Sequence, residues 1–284
     1  MDSSDTAQRT DRTDAPAGGA GPVTVEDVPE FTTLSTPRQT QRVTTTVRGS
    51  GPDGPAGTVT VVKTTVGDMD NNCYLVVPGD TRRAGDGVDD GAGNGAGNGT
   101  PAEALLVDAA DDADHLLALA RTLGVTVTDV VTTHRHTDHV RALGDVLAAT
   151  GARHHAPRRD AAALPAPADE TYGTDDGTPE DLRAAGASLR ALGMRVVELR
   201  GHTPGGLALV LPSDPTRVFT GDSLFPGGVG NTDGGEDFTT LVDDVEQRIL
   251  RVLPQNTRVH PGHGDDTTVG TELPQVDAWR SRGW

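Results

Sequence analysis

The residues best suited to chemistry in this sequence lie in one short segment, residues 133–139, which reads Thr-His-Arg-His-Thr-Asp-His. Imidazole nitrogens and carboxylate oxygens are the usual ligands of Zn²⁺ and of other borderline transition metals. Residues two apart on an extended chain point to the same side, so His134 and His136 can bind one ion together. Asp138 and His139 follow directly and can turn towards a second ion. The segment therefore predicts a metal site.

Three later segments each place one potential ligand beside glycine at the end of a predicted strand. They are Gly-His-Thr-Pro-Gly around His202, Thr-Gly-Asp-Ser around Asp222 and Pro-Gly-His-Gly around His263. Glycine permits the tight backbone turns that aim a neighbouring side chain inward. Each motif is a weak signal alone, but their order after the first segment indicates one shared site.

In this order the motifs resemble the metallo-β-lactamase superfamily, and within it the glyoxalase II-like (hydroxyacyl-thiol hydrolase) branch. The resemblance covers residues 58–284 and includes Thr-Gly-Asp-Ser-Leu-Phe at 220–225 and the segment 267–274. It implies an α+β fold, an αββα sandwich of two mixed β-sheets with helices on the outer faces.

The resemblance also implies a centre of two divalent metal ions. Zn²⁺ is the favoured metal, and Fe and Mn are alternatives because they accept the same ligand types. By motif position, the first ion has the ligands His134, His136 and His202, the second has Asp138, His139 and His263, and Asp222 bridges both.

The expected activity follows from such a site. The sequence offers no Ser–His or Cys–His pair placed as a protein nucleophile, so a hydroxide bridging the two ions is expected to attack an acyl thioester of a low-molecular-weight thiol. Asp138 is the expected catalytic residue, which orients this hydroxide. Glyoxalase II enzymes use a C-terminal helical domain to bind glutathione, whereas this chain ends at Trp284, soon after His263. The identity of the thiol is therefore open.

Two alternatives use the same fold. A persulfide dioxygenase with a single iron would need only His134, His202 and Asp222, and would leave the other candidate ligands without a metal. The intact Pro-Gly-His-Gly motif argues against it. A lactamase or lactonase would use the same two-metal site, and no feature of the sequence excludes it.

Charge and composition limit the partners. The net charge of −18 argues against nucleic acid or an anionic membrane surface, because both select for Lys and Arg, and it disfavours an RNA-processing nuclease. No apolar stretch approaches the ~20 residues of a membrane span, and no secretory leader is evident. The single cysteine, Cys73, rules out an internal disulfide. We expect a cytoplasmic protein with a small-molecule substrate, and its oligomeric state stays unknown.

The chain pattern predicts a disordered tail at residues 1–50, rich in Thr, Asp, Ser, Gly and Pro. Residues 51–284 form the predicted hydrolase domain, with a mobile glycine-rich insertion at about 79–102. His115 is expected on the exposed side of a helix, and His154 and His155 are not expected to bind metal. Hydrophobic periodicity predicts helices at 110–123, 138–150 and 237–253, and strands at 58–66, 72–77, 104–107, 125–132, 153–156, 195–199, 207–211, 217–219 and 257–259, with no element placed between 157 and 190.

Overall fold

The computed structural model describes residues 25–27, 40–47, 57–79 and 101–283. Most of the predicted glycine-rich insertion and most of the predicted tail lie outside these residues. The strands are β1 (Val25–Asp27), β2 (Thr40–Val47), β3 (Gly57–Val66), β4 (Asn71–Pro78), β5 (Ala102–Val107), β6 (Val125–Val131), β7 (Arg153–Pro157), β8 (Glu170–Tyr172), β9 (Glu180–Asp181), β10 (Arg195–Leu199), β11 (Gly206–Leu211), β12 (Ser213–Asp214), β13 (Arg217–Gly221), β14 (Leu224–Phe225), β15 (Gly228–Val229), β16 (Arg258–Pro261) and β17 (Thr267–Thr268). The helices are α1 (Ala113–Thr122), α2 (Leu143–Thr150), α3 (Ala187–Ala191), α4 (Gly235–Val245), α5 (Val269–Glu272) and α6 (Val276–Arg282).

The strands form two mixed sheets. Within the described ranges, the first sheet has nine strands in the order β1-β2-β3-β4-β5-β6-β7-β8, with β12 beside β2. The second, counted over the same ranges, has six in the order β17-β16-β13-β11-β10-β9. Strands β5 to β8 run parallel in the first sheet, and β13 runs parallel to β16 in the second.

The two sheets pack face to face, and helices cover their outer faces. Val61 of the first sheet and Phe219 of the second belong to the apolar core between the sheets. Leu116 of α1 packs in the core outside the first sheet, whereas Leu241 of α4 and Trp279 of α6 pack outside the second. The predicted αββα sandwich is therefore confirmed. Among the described residues, no helix combines the length and apolar character needed to cross a membrane.

Four strands lead into the segments that carry the candidate ligands. β6 leads into residues 134–139, β10 into His202, β13 into Asp222 and β16 into His263. β13 is buried along its whole length and β6 over its last three residues, because both strands lie inside their sheets and are covered on both faces. Loops that leave such rigid strands can hold side chains in a fixed arrangement.

The prediction of a disordered tail over residues 1–50 is wrong for residues 25–27 and 40–47, which form β1 and β2. Strand β2 pairs with β3 along its whole length, from Thr40 opposite Thr64 to Val47 opposite Gly57. The β2 segment is rich in threonine, and a polar composition of this kind predicts disorder when it is considered alone. In the sheet, the hydroxyl groups of Thr40 and Thr64 lie 3.0 Å apart, and β-branched threonine suits a pleated strand.

The predicted helix at 138–150 begins later than expected. Residues Thr137–His139 form a 3₁₀ turn, and the α-helix starts only at Leu143. Between them the backbone N–H groups of Arg141 and Ala142 donate to carbonyls before α1 rather than along a helix. Because no regular helix forms at this point, the side chains of the preceding 3₁₀ turn can point towards the loops of the other strands.

Two further segments differ from the sequence prediction. The predicted helix at 237–253 is α4 followed by a π-helical turn at Glu246–Leu250. The region 157–190, where no element was placed, contains β8, β9 and α3. These elements are at most five residues long, which is too short for a hydrophobic period to be read from the sequence.

We expect Trp279→Ala to lower the free energy of unfolding by about 3–5 kcal/mol, because large-to-small changes at well-packed aromatic sites leave a cavity. Trp279 is 1% exposed and packs against α4 in the outer core. Urea denaturation would measure the change. Val252→Ala, at a residue that is 64% exposed, is the control and should shift stability by less than about 0.5 kcal/mol. Equal effects of the two substitutions would contradict this packing.

Candidate metal centre

Five histidines and two aspartates meet where the loops after β6, β10, β13 and β16 converge. They form three overlapping groups, and within each group the candidate ligand atoms lie within 4.8 Å of one another. The structure thus brings together all the residues that the sequence singled out. These residues are His134, His136, Asp138, His139, His202, Asp222 and His263. Their role as metal ligands stays a prediction.

His134, His136 and His202 form the first group. The ring centroid of His134 lies 4.8 Å from that of His136 and 4.9 Å from that of His202, and the last two are 4.5 Å apart. His134 is buried whereas His136 is exposed. This group therefore extends from the protein interior to the surface.

Asp138, His139 and His263 form the second group. The Nε2 atoms of the two histidines are 3.1 Å apart, and Asp138 Oδ2 lies 3.2 Å from His263 Nε2. Atoms that each lie ~2.0–2.2 Å from one tetrahedral zinc ion are separated by about 3.4 Å. These distances therefore fit ligands of a single ion.

Asp222 lies between the two groups and reaches both. Its Oδ1 is 3.3 Å from His139 Nε2, and its Oδ2 is 3.5 Å from His263 Nε2 in the second group. The same Oδ2 lies 3.8 Å from His202 Nε2 in the first group. A single carboxylate in this position can contact two neighbouring ions.

Three candidate ligand atoms have unsatisfied hydrogen-bonding capacity. His134 Nε2, His202 Nε2 and Asp222 Oδ1 are buried and have no hydrogen-bond partner among the described residues. Each such atom costs about 1–3 kcal/mol if nothing compensates it. Cations held between these residues would supply the missing partners. Imidazole nitrogen and carboxylate oxygen are, moreover, a donor set that suits Zn, Fe or Mn.

Asp108 contacts His139 directly and His134 through Thr133, on the side of each ring away from the cluster. The sequence analysis did not identify it. Its Oδ2 lies 3.0 Å from His139 Nδ1 and accepts a hydrogen bond of 2.8 Å from the Thr133 hydroxyl. The Thr133 oxygen lies 3.0 Å from His134 Nδ1. Both Nδ1 atoms are thus engaged, which leaves Nε2 for a metal, as is usual for metal-binding histidines. The signal available in the sequence was an aspartate directly after the apolar run at 104–107. In the structure this aspartate has a positive φ of 57°.

Main-chain carbonyls orient two other histidines in the same way. His202 Nδ1 donates to the carbonyl of Asn231 at 2.7 Å, and His263 Nδ1 donates to that of Met69 at 2.9 Å. The Nε2 atoms of both rings therefore face the cluster. Asn71 adds a side-chain contact, since its amide donates to Asp138 Oδ2 at 2.8 Å. Neither carbonyl contact has a signature in the sequence.

The charges of the cluster act strongly on one another. Burial would lower the pKa of His139, but the neighbouring carboxylates of Asp108 and Asp222 outweigh it and raise that pKa to about 10. Burial would raise the pKa of Asp222, but the adjacent imidazoles of His139 and His263 hold it far below its usual range. Burial lowers the pKa of His134, and His139 lowers it further. Asp222 and His134 are therefore in the ligand form at neutral pH, whereas a metal must displace a proton from His139.

The histidines that were not assigned to the metals lie outside the cluster. His115 was predicted to be exposed, which is wrong: it is fully buried, and its Nε2 lies 2.8 Å from the hydroxyl of Thr64 in β3. Hydrophobic periodicity placed it on the polar side of α1, but that side also faces the sheet. His154 and His155 are buried and bond to Thr132 and Asp129, at 2.9 Å each.

Gly262 allows Asp222 to occupy its position. A β-carbon at this residue would overlap Asp222 Oδ1 and press against the His139 ring. The backbone N–H of Gly262 also donates to the Gly221 carbonyl at 2.9 Å. The glycine of the Pro-Gly-His-Gly motif is therefore required by space as well as by the turn.

The sequence and the fold both match known proteins. The sequence model of the metallo-beta-lactamase superfamily matches residues 99–264. The hydroxyacylglutathione hydrolase of Nitrosococcus oceani is 34% identical over 167 residues, which are 57% of this chain and 57% of that protein. The crystal structure of TTHA1623 in a di-iron-bound form is 30% identical, with a TM-score of 0.52 over 73% of this chain and 94% of that one. BLEG-1 B3 metallo-beta-lactamase has a TM-score of 0.57 at 22% identity, over 75% of this chain and 96% of that one.

This chain belongs to the metallo-beta-lactamase superfamily. The likeness to BLEG-1 concerns the fold alone. The match to the N. oceani enzyme spans little more than half of that relative, at 57% of its length.

We expect Asp108→Asn to weaken metal binding by about 10–100-fold, the usual cost of losing the group behind a metal-binding histidine. The carboxylate of Asp108 accepts from Thr133 and contacts His139, and an amide cannot accept through both of its ends. Competition with a chromogenic chelator would measure the affinity. Asp145→Asn, at an exposed residue of α2, is the matched control. An unchanged affinity in Asp108→Asn would show that this carboxylate does not support the centre.

We expect Gly262→Ala to reduce the number of bound metal ions per chain, because the added methyl group displaces Asp222 from its place between the two groups. Elemental analysis of the purified variant gives the stoichiometry, and thermal unfolding reports whether the fold is retained. Gly144→Ala is the control, since a β-carbon there meets nothing within 4 Å. A folded Gly262→Ala protein with full metal content would contradict the role given to Asp222.

Proposed function

We propose that this protein is a metal-dependent hydrolase that binds two divalent ions and cleaves an acyl thioester of a low-molecular-weight thiol. The observation that carries the proposal is the placement of Asp222, whose two oxygens approach His202 on one side and His139 and His263 on the other. Two complete groups of ligands joined by one carboxylate are the arrangement of a two-metal hydrolytic centre.

The first ion would be held by His134, His136 and His202, and the second by Asp138, His139 and His263, with Asp222 shared. When bound, the two ions would lower the pKa of a coordinated water and polarise the carbonyl of the substrate. Zn²⁺ is the proposed metal because this donor set suits it. The di-iron form of TTHA1623 supports iron as an alternative, and Mn accepts the same ligands.

Asp138 is proposed to orient the attacking water. Burial would raise its pKa, but the hydrogen bond from Asn71 and the nearby His139 lower it. The carboxylate is therefore ionised at neutral pH and accepts hydrogen bonds. Its Oδ2 is held by Asn71 at 2.8 Å. This contact fixes its orientation, so that a water molecule at the other oxygen is placed reproducibly.

The exposed side of the cluster defines how a substrate approaches. His136 is exposed and the His263 side chain is 22% exposed, whereas His134 and His139 form the buried floor. The Thr133 hydroxyl beside His134 donates to Asp108, so it does not serve as a nucleophile. Water activated at the open side is thus the proposed nucleophile.

The proposed substrate class rests on the named relatives. The enzyme of N. oceani is a hydroxyacylglutathione hydrolase, and that name denotes cleavage of a thioester. The sequence identity of 34% over 167 residues supports the same reaction type here. A persulfide dioxygenase with one iron is the alternative from the sequence. It would leave Asp138, His139 and His263 unused, although these three lie at distances suited to a shared ion.

We expect close to two metal ions per chain by elemental analysis, together with hydrolysis of small acyl thioesters followed by release of free thiol. His136→Ala and Asp222→Ala should each reduce turnover by at least about 100-fold, because each removes a ligand outright rather than its support. Asp145→Ala is the control for a lost surface carboxylate. Full turnover by either ligand variant in metal-replete protein would place the active site elsewhere. One iron per chain with oxygen uptake on a persulfide, and no thioester cleavage, would assign the alternative.

A further inference from the structure

A cavity of about 160 Å³ opens between the two sheets at a place that the metal centre does not use. Strands β2, β3 and β4 line one side of it, and β13 and β16 line the other. Arg217 and Arg258 are direct neighbours there, because β13 and β16 pair them in parallel register. Arg217 begins β13, and Asp222 follows the opposite end of that strand. At the rise of a β-strand the two residues are separated by about 16 Å.

A chain of four polar side chains crosses the cavity wall. Lys63 Nζ donates to Asp266 Oδ1 at 2.8 Å, and Asp266 Oδ2 lies 2.8 Å from His260 Nδ1. One terminal nitrogen of the Arg217 guanidinium lies 3.1 Å from His260 Nε2. A guanidinium can only donate, so His260 Nε2 accepts, and the ring proton lies on Nδ1, beside the Asp266 carboxylate. His260 is therefore neutral, in keeping with burial, which lowers its pKa.

This arrangement leaves Arg217 without a direct ionic partner among the described residues, and the more distant carboxylate of Asp266 offsets only part of its charge. Asp266 is engaged by Lys63 and His260, and the only side-chain partner of Arg217 among the described residues is the neutral imidazole. Arg217 is 3% exposed, and its Nε has no hydrogen-bond partner among those residues. Burial lowers its pKa to about 10. A buried cation of this kind is costly unless an anion accompanies it.

The cavity is cationic in a strongly acidic protein. It is lined by three basic side chains, those of Lys63, Arg217 and Arg258, and by one carboxylate, that of Asp266, although the chain carries a net charge of −18. Arg258 is exposed, which places a second guanidinium where the cavity meets solvent. A locally positive pocket on such a chain concentrates anions against the overall field.

The size and walls of the cavity limit what it can hold. One water molecule requires ~10–15 Å³ by this measure, so the cavity has room for an anionic group together with a short organic body. Val43, Val61 and the ring of Tyr74 contribute apolar wall. The Tyr74 hydroxyl is not free to bind a ligand, because it donates to the Pro261 carbonyl at 2.7 Å.

We propose that this cavity is a second binding site, which takes a compact and partly apolar molecule through one oxyanion group, either a carboxylate or a phosphate. Arg217 would contact the oxyanion from the buried end, because the planar guanidinium presents a fork of donors that matches two oxygens. Arg258 would contact it from the mouth. The apolar walls would cover the body of the molecule. This site is independent of the activity proposed above.

The test uses metal-loaded protein and two probes, inorganic phosphate and propionate, at constant ionic strength and pH. At least one probe should raise Tm in a saturable way, because binding to the folded state stabilises it by mass action. Arg217→Met should abolish that rise. Without the probe this variant should unfold no earlier than the parent protein, since an apolar side chain replaces a buried and unpaired charge. Arg153→Met, at an exposed residue of β7, should keep the rise.

Arg258→Gln provides a second test that leaves the buried arginine in place. Calorimetric titration of the better probe should show about tenfold weaker binding, as expected for the loss of one charged hydrogen bond. Metal content should be unchanged in each variant. An equal Tm rise in Arg217→Met and the parent protein would place the anion elsewhere, for example at the metals, and would overturn the proposal. No saturable rise with either probe would overturn it as well. A preference for phosphate over propionate, or the reverse, would identify the oxyanion.

Discussion

Asp222 and the imidazoles around it form a cluster that the protein cannot satisfy with its own hydrogen bonds. Its Oδ1 and the Nε2 atoms of His134 and His202 are buried without partners in the described structure, at about 1–3 kcal/mol each. Such an arrangement persists only if the surrounding structure holds every member in place. Backbone hydrogen bonds between the loops do this, from Leu207 to the Thr133 carbonyl at 2.8 Å and from Asn72 to the Gly262 carbonyl at 2.8 Å.

The sandwich provides the rigidity that these loops need. A sheet that is buried on both faces allows little movement of its strands, because the interior is close-packed. Here three apolar layers, one between the sheets and one outside each, hold β6, β13 and β16 in position. Asp108 holds the ring of His139 in place, because its Oδ2 lies 3.0 Å from His139 Nδ1. The geometry of the centre thus depends on packing far from any candidate ligand.

Charge is distributed unevenly over the same strands. β13 begins at Arg217 in a cationic cavity and leads into Asp222 in the candidate metal centre. β16 repeats this order, from Arg258 to His263. One pair of parallel strands therefore carries basic side chains near its start and candidate metal ligands beyond its end. The two are separated by apolar residues such as Phe219, which is fully buried.

The sequence by itself determined the candidate ligands and most of the longer strands, because these depend on local signals, whereas the αββα architecture was implied by the family resemblance of the motifs. His-x-His-x-Asp-His follows a β-branched run, and runs such as residues 125–131 are apolar enough to be recognised alone. Strand β2 was missed, since its threonines become favourable only opposite Thr64 and Thr60 of β3. Asp108 and the cationic cavity were missed for a related reason. Their significance lies in which distant residues they meet, and contacts between residues far apart in the chain are decided only when the sheets close.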